Sequence, residues 1–370
     1  MPDGEVKPAS KMETAFGRGF LYDLWYFAAL SSAVKPGSLR RIEMLGEPVL
    51  IGRTRAGKPF ALRDICPHRA APLSAGKLVK LGSEPETVEC PYHGWRFSTA
   101  DGACTSIPSL LDDQDLEVDR IRVRSFPVRE SQGMVFVYFA AAPRAEGVSP
   151  DAEVEPPNFP GVVGGGPKLI DAMDFDTHID QAVVGLMDPT HGPYVHQQWW
   201  WRSKSHQIEK QKRFEPRPLG FAMASHAPSK NSRAYRILGG APETEISFRL
   251  PGYRWEHITV GKRQVLALTF LTPVTASKTR ITQIIWSDHP AFLLLRPFIR
   301  AGARAFLRQD GDMVNLQNQG LKYDPPLLWI DDADKQAKWY QALKREWVKS
   351  RTEARPFVNP VEATTLRWRS

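Results

Sequence analysis

The chain has 370 residues, 42% of them apolar and 24% charged, and 49 basic against 41 acidic side chains leave a net charge of +8. That length gives room for two domains with their own cores, and the composition excludes a disordered or collagen-like chain. The basic residues are spread in short clusters such as Lys210 to Arg213, with no nucleic-acid-binding module, and read as a solvated surface. Residues 1–18 read as a loose tail, polar and without the apolar core of a signal peptide. A small all-β domain is expected over 19–140, because short β-like runs at 48–52, 59–62 and 134–138 alternate with turn residues at 55–58 and 100–102. Residues 141–168 are rich in Pro, Gly and acidic residues and read as a linker or surface excursion. A second domain spans 169–370. It opens with a helix over 176–188 and continues as an antiparallel meander through 244–250, 253–260, 264–272 and 280–287. The run 292–307, interrupted by Arg296, Pro297, Arg300 and Arg304, reads as a basic amphipathic helix packed on the core, with a membrane surface as the alternative. The longest apolar stretch of the first half, 134–142, is far too short to span a bilayer. A last helix follows, since Ala333, Ala337, Tyr340, Leu343 and Trp347 recur at intervals of three or four behind a cap at Asp331 or Asp332.

The densest chemistry sits in two short loops, Cys66-Pro67-His68 and Cys90-Pro91-Tyr92-His93. Two thiolates and two imidazoles are the ligand set of a Rieske [2Fe–2S] cluster, in which two His replace two Cys on one iron. A single zinc ion, which mixed Cys/His loops also hold, is the rival. Zinc loops usually pair Cys with Cys and His with His, whereas each loop here brings one of each. Each Cys is followed by Pro, and His93 by Gly94-Trp95, where Gly lets backbone N–H groups approach cluster sulfurs. The pattern favours the cluster. The three cysteines make no disulfide framework, and two of them are claimed by this site, which fits a reducing compartment, the cytoplasm. Cys104 reads as a small buried hydrophobe.

The cluster segment resembles the Rieske non-haem iron oxygenases. By that resemblance, the extra disulfide cysteines of high-potential Rieske proteins would fall at Ala71 and Tyr92, and their hydrogen-bonding Ser at Trp95. Fewer donors to the sulfurs imply a low potential, and an oxidant-activating iron site is then expected downstream.

Asp188, His191 and His196 form the next compact donor group. A non-haem Fe(II) oxygenase needs two His and one carboxylate on one face, with positions left open. Alone, two histidines beside a Pro-rich turn are more often structural; with the cluster loops upstream the balance reverses. The pattern D-x-x-H-x-x-x-x-H is similar to the catalytic-iron motif of the Rieske oxygenases, and over about 20–345 the chain resembles their vanillate O-demethylase-like components, also described as phenylpropionate dioxygenase-like large subunits. The resemblance implies one Rieske cluster on Cys66, His68, Cys90 and His93. It implies one mononuclear Fe(II) on His191, His196 and Asp310, with Asp312 as competitor for the third place. It makes Asp188 a bridging carboxylate between a ligand His and His93 of a neighbouring subunit in a head-to-tail homotrimer. Asp188 also reads as an N-cap ahead of Pro189. Gly185 stands where the family often has Asn, which implies a roomier or more apolar pocket. His178 reads as a supporting residue, and His206, His226, His257 and His289 lack ligand spacing. Of Trp199, Trp200 and Trp201, one is expected in the core and another at a subunit neighbour or the substrate entrance.

The implied fold is α+β: an N-terminal all-β Rieske [2Fe–2S] domain and a C-terminal helix-grip, START-like catalytic domain with an antiparallel sheet. The implied function is a terminal oxygenase component that uses O₂ to hydroxylate or O-demethylate a small apolar aromatic or alicyclic substrate. Electrons come from NAD(P)H through a separate reductase, directly or by way of a ferredoxin that a basic patch docks. The rivals are a ring cis-dihydroxylating dioxygenase, a Rieske electron carrier without catalytic iron, and a binding protein with a dead iron site.

Overall fold

The computed structural model describes residues 14–80, 82, 85–111, 113–141, 152–162, 164, 166–196, 207–229, 235 and 238–370. The chain divides into two compact units, one built on Phe20–Asn158, the other on Glu13–Gly19 together with Phe159–Ser370.

The first unit is all β apart from short 3-10 turns. Its strands are β1 (Leu24–Leu30), β2 (Leu39–Met44), β3 (Glu47–Arg53), β4 (Pro59–Arg63), β5 (Lys77–Val79), β6 (Thr87–Glu89), β7 (Arg96–Ser98), β8 (Cys104–Ser106), β9 (Ser125–Phe126), β10 (Val128–Ser131) and β11 (Met134–Phe139). They form three sheets in the orders β1-β11-β10, β2-β3-β4-β9 and β5-β6-β7-β8. Met-Val-Phe-Val-Tyr-Phe of β11 has no polar face and needs none, since β11 lies between two strands and all six residues are buried. The loops Cys66–His68 and Cys90–His93 follow β4 and β6, and their cysteines belong to the core made by Leu50, Phe60, Leu62, Val88 and Phe97.

The second unit is a single eight-stranded sheet with helices inserted at two places. Its elements are β12 (Leu169–Phe175), α1 (Ile179–Met187), α2 (Gly192–Val195), β13 (Glu209–Arg217), β14 (Gly220–His226), β15 (Glu243–Arg249), β16 (Tyr253–Val260), β17 (Arg263–Thr275), β18 (Lys278–Ser287), α3 (Pro290–Leu294), α4 (Arg296–Leu321), α5 (Lys335–Thr352) and β19 (Thr364–Arg369). The sheet runs β12-β18-β17-β16-β15-β14-β13-β19, antiparallel throughout, so the first and last strands close opposite edges. Helix α5 lies on this sheet: the Trp339 ring sits 5.5 Å from Phe214 and 5.1 Å from Phe221, and Tyr340 meets Phe248 edge-on at 5.7 Å. This is the helix-grip arrangement expected.

The expected meander appears as β15–β18. The helix expected from 176 begins at Ile179, because His178 caps it: Nδ1 accepts the Asp180 N–H at 3.1 Å while Nε2 meets Gly19 O at 2.8 Å. The run 292–307 is two helices, parted at Leu295 two residues before Pro297, and the second continues to Leu321 with Leu307 and Val314 turned inward. Neither Asp331 nor Asp332 caps α5, which starts after Asp334. The Asp331 carboxylate pairs with Lys338 instead, and that of Asp332 accepts the Arg367 N–H. No described helix is long and apolar enough to cross a membrane.

Residues 14–18, read as part of a loose tail, are tied down. The Gly17 N–H donates to Asp180 Oδ2 at 2.8 Å, and Lys344 Nζ donates to the carbonyls of Ala15 at 3.3 Å and Arg18 at 2.9 Å. Lys344 and Asp180 pair at 2.7 Å with side chains only 2% and 1% exposed, and Tyr340 OH donates to the other Asp180 oxygen at 2.6 Å. A buried charge persists only with a partner and filled hydrogen bonds, and both conditions are met here.

Candidate metal centres

The two Cys loops share one design. In the first, the Cys66 N–H donates to Ala71 O and the Ala70 N–H returns to Cys66 O, both at 2.9 Å; in the second, Cys90 N–H reaches Trp95 O at 2.8 Å and Gly94 N–H reaches Cys90 O at 3.1 Å. The residue four after each Cys turns the chain with a positive φ, 56° at Ala70 and 74° at Gly94. Each loop buries its Cys and exposes its His. The His68 and His93 rings lie 4.6 Å apart, and Trp95 stacks on His68 at 4.7 Å with the planes 4° from parallel.

Burial pushes the Cys66 thiol up to about 11, and Cys90 beside it adds to the rise. Thiolates in that setting require cationic neutralisation, which bound iron supplies. Among the described residues, the one group of three or more His, Cys, Asp and Glu whose donor atoms all lie within 4.8 Å of one another is not this one. A single zinc, with ligands at about 2.0–2.3 Å, demands such a tight group. The looser set, thiols on the buried side and imidazoles on the exposed side, fits a two-iron cluster between them. Gly94→Ala is expected to cost about 1–2 kcal/mol, from the left-handed backbone, and a Cβ there would also sit 3.1 Å from Pro108 Cγ. The check is the rate at which the loaded protein loses its visible absorption to a chelator. A rate equal to wild type would contradict the strain argument.

The second centre is assembled from α1, α2 and α4. Asp188 ends α1, and its Oδ1 accepts both the N–H (2.7 Å) and the Oγ1–H (2.6 Å) of Thr190. The expected N-cap role ahead of Pro189 is therefore not what Asp188 does. The carboxylate closes a turn after α1, and the next helix starts only at Gly192 with His191 before it. His191 and His196 thus flank a one-turn helix, and their Nε2 atoms face each other at 3.1 Å. Asp310, from the middle of α4, brings Oδ1 to 3.2 Å from His196 Nε2 and 3.7 Å from His191 Nε2. Asp312 does not join the group.

Neighbours on α4 set the geometry. His196 Nδ1 lies 3.0 Å from Gln309 Oε1, an acceptor, which fixes the proton on Nδ1 and turns the Nε2 lone pair to the centre. Phe306 stacks on the same ring at 4.3 Å. Phe306, Gln309 and Asp310 stand at i, i+3 and i+4, one face of the helix. Gly311 lets that helix approach β12, since a Cβ there would lie 3.3 Å from the Phe175 ring. His191 Nδ1 is buried without an aligned hydrogen bond, its nearest carboxylate oxygen being Asp188 Oδ2 at 3.5 Å.

Burial pushes the Asp310 carboxyl up to about 6, with the Asp188 charge adding to the rise against the pull of His191 and Arg254. Burial acts the same way on Asp188, yet His191 and Thr190 outweigh it and hold that carboxyl below its ordinary range. For His191, burial lowers the imidazole pKa, but the neighbouring Asp188 and Asp310 carboxylates overcome this and raise it. Two ring nitrogens and a half-buried carboxylate oxygen aimed at one point satisfy one another poorly and a divalent cation well. Two His and one carboxylate with space beside them is the donor set suited to Fe(II).

Two cavities meet at this triad, one of about 270 Å³ and one of about 220 Å³, and Leu186, Asp188, His191 and Asp310 line both. The smaller is walled largely by Phe175, Ala182, Ile281, Leu307 and Val314, and Gly185 opens onto it with nothing within 4 Å of an added Cβ. The larger is not the apolar pocket expected, because Lys210, Lys212, Arg254 and Glu256 are in its wall.

Of the other residues singled out, Cys104 is buried and its thiol is raised by burial, as suits an inert hydrophobe. His226 lies in the wall of the larger cavity and bonds Ala224 O, and His257 meets Gln264 Oε1 at 2.9 Å. Trp199, Trp200, Trp201 and His206 lie outside the described residues.

Comparison with known proteins matches both domains. Residues 24–127 match the Rieske [2Fe-2S] domain and residues 175–350 the vanillate O-demethylase oxygenase C-terminal domain. Chlorophyllide a oxygenase of Chlamydomonas reinhardtii is 33% identical over 190 residues, 50% of this chain and 26% of that protein. The 4beta-methylsterol monooxygenase of Methylococcus capsulatus is 29% identical over 180 residues, 48% of this chain and 45% of that one. The chain thus spans less than half the length of these two relatives. The crystal structure of dicamba monooxygenase bound to dicamba superposes with a TM-score of 0.68 at 20% identity, over 92% of this chain and 100% of that chain. Pseudomonas putida CBB5 NdmB gives 0.66 at 19% identity, over 94% and 95%. These structures share the fold.

Proposed function

Because the chain belongs to the Rieske non-haem iron oxygenases, we infer that it is a terminal oxygenase component that mono-oxygenates, by hydroxylation or O-demethylation, an aromatic or alicyclic substrate. The observation that carries this reading is the convergence of His191, His196 and Asp310 beside two cavities, in a chain that also presents the Cys66, His68, Cys90 and His93 loops. A pure electron carrier has no use for the triad. The domain division proposed for this role is a tail to residue 18, of which 14–18 join the second unit, a Rieske domain over 19–140, a linker over 141–168 that passes into the second unit at Phe159, and a catalytic domain from 169.

When bound, the cluster supplies single electrons and the mononuclear iron supplies O₂ activation, chemistry that side chains cannot perform. His191 and His196 would present ring nitrogens to the iron, and Asp310 would give the one negative charge. Gln309 and Phe306 hold the His196 ring, Asp188 stands behind His191, and the cavity walls position the substrate and exclude water. The electron source proposed is a separate NAD(P)H-dependent reductase, directly or through a ferredoxin. A reducing cytoplasm suits the three free cysteines.

The proposed assembly is a head-to-tail homotrimer in which Asp188 hydrogen-bonds the partner subunit's His93. Two features favour it: His93 and Tyr92 are exposed, Tyr92 by 60%, and Asp188 keeps 29% of its side chain open. Asp188→Ala is expected to keep both metals and lose most of its turnover, at least the roughly 10–100-fold cost of removing an outer-shell partner. Full activity in that variant would sink the bridge.

The test of the reading itself is the ratio of iron to labile sulfide in protein loaded anaerobically. About three irons for two sulfides means both centres fill; about two for two leaves an electron carrier or a dead iron site. A ring cis-dihydroxylating dioxygenase shares these centres and is separated only by its product.

A further inference from the structure

The larger cavity has a charge problem that the two metal centres do not solve. Four of its wall residues are Lys210, Lys212, Arg254 and Glu256. Lys210 is accounted for, donating to Ser370 Oγ at 2.8 Å. Glu256 is also accounted for, since Tyr235 OH and Thr244 Oγ1 both donate to its Oε1. The other two acids of the wall, Asp188 and the triad's own Asp310, face His191 and His196. Arg254 is left over. It is half-buried on β16, and among the described residues it forms no hydrogen bond and no ion pair, although its charge is felt at Asp310. Lys212 has one backbone carbonyl, Ala227 O at 3.2 Å, and its pKa is lowered by burial. A guanidinium that is partly desolvated and unpaired costs free energy that an incoming anion recovers.

We propose that this cavity takes a substrate bearing a carboxylate, gripped by the planar fork of Arg254 with Lys212 as a second cation. The fork presents parallel N–H groups that match a carboxylate in a bidentate way, which an amide or ester of the same shape does not repay. This inference rests on the oxygenase reading of the triad and narrows it. The substrate is then an organic acid with an apolar body, which narrows the small apolar molecule that the resemblance implies. The apolar body fits the walls around Phe221, Met223 and Phe248.

The test is equilibrium dialysis of the iron-loaded protein against aromatic and alicyclic acids, each paired with its primary amide, with aryl sulfonates as a further arm. In wild type, at least one acid is expected to bind about tenfold or more tightly than its amide, the margin typical of a charge-assisted hydrogen bond. Arg254→Met is expected to erase that margin while leaving the amide unchanged. Arg254→Lys, which keeps the charge and most of the packing, is expected to retain part of it. Acid and amide binding alike, binding of neither in any pair, or a margin untouched by Arg254→Met overturns the proposal. Preference for sulfonates over carboxylates overturns the assignment of the carboxylate. Because dialysis needs no turnover, the two readings fail separately. A protein that holds acids but oxidises nothing keeps this site and loses the oxygenase function; one that oxidises only neutral compounds does the reverse.

Discussion

Asp310→Ala is expected to abolish turnover while leaving the Rieske cluster in place. The carboxylate is the single anionic donor of the triad, held between two imidazole nitrogens at 3.2 and 3.7 Å. Its removal leaves two neutral nitrogens, a site with no compensating charge for a divalent ion. Loss of an outer-shell partner typically costs about 10–100-fold in metal affinity or activity, and loss of a direct ligand is expected to exceed that range. The Cys and His loops lie in the other unit and share no residue with the triad. The variant should therefore show the visible absorption and low-potential electron resonance of a reduced Rieske centre, about one iron fewer per chain, and no product. Asp312→Ala is the matched control and is expected to retain its iron. Equal iron loss in both variants would show that the helix, rather than the ligand, was damaged.

Lys344→Met is expected to be the most destabilising single change in the second unit. Lys344 Nζ serves three groups at once, the carboxylate of Asp180 and the carbonyls of Ala15 and Arg18, with Tyr340 OH completing the Asp180 shell. Truncating one partner of a buried pair leaves the other charge without compensation, a cost of about 3–5 kcal/mol. For a unit of this size that is roughly a 10 °C fall in the thermal midpoint. The double change Lys344→Met with Asp180→Asn removes both charges and is expected to recover part of the loss, as coupled neighbours do. The consequence reaches the metal site, because Asp180 sits in the first turn of α1 and Asp188 ends it. A midpoint within a degree or two of wild type would mean the pair is not load-sharing.

The cluster loops were legible because their chemistry is local. Each ligand pair lies within four residues, and the Pro, Gly and Trp beside it are visible in the same window. His191 and His196 were legible for the same reason, as ligands on either side of one turn of helix. Asp310 was reached only through the resemblance. Its neighbour Gln309 contacts His196 across 113 residues of sequence, and no periodicity reports a contact of that span. Asp188 shows a different limit. Asp before Pro signals a helix start and an Asx turn equally well, and the structure uses the turn.

Charged residues on strands and helices were the least legible. Lys210 and Lys212 lie in Glu-Lys-Gln-Lys-Arg, a run polar enough to read as a solvated surface, yet it forms β13 and turns both lysines to the cavity. Arg254 alternates with apolar neighbours on β16, and which face lines a cavity depends on sheet curvature that one strand does not encode. Lys344 drew no reading from the sequence, because its partner Asp180 lies 164 residues away. The antiparallel meander followed from the signals at 244–287 and the helix-grip fold from the resemblance, while β13, β14 and β19, which complete the sheet, carried no comparable pattern.

The measurement that bears most directly on the central claim is one turnover with isotope-labelled oxygen. Protein loaded with both metals is reduced, freed of reductant and exposed to ¹⁸O₂ with a pooled panel of methoxyaromatic acids, plain aromatics and sterol-like alicyclics, and product masses are read. The account predicts a product that has gained one labelled oxygen or lost a methyl group, formed by wild type and not by Asp310→Ala. A product with two labelled oxygens and two added hydrogens would make the protein a ring dihydroxylase. No labelled product from any compound, with both centres filled and the cluster reduced, would contradict the oxygenase assignment.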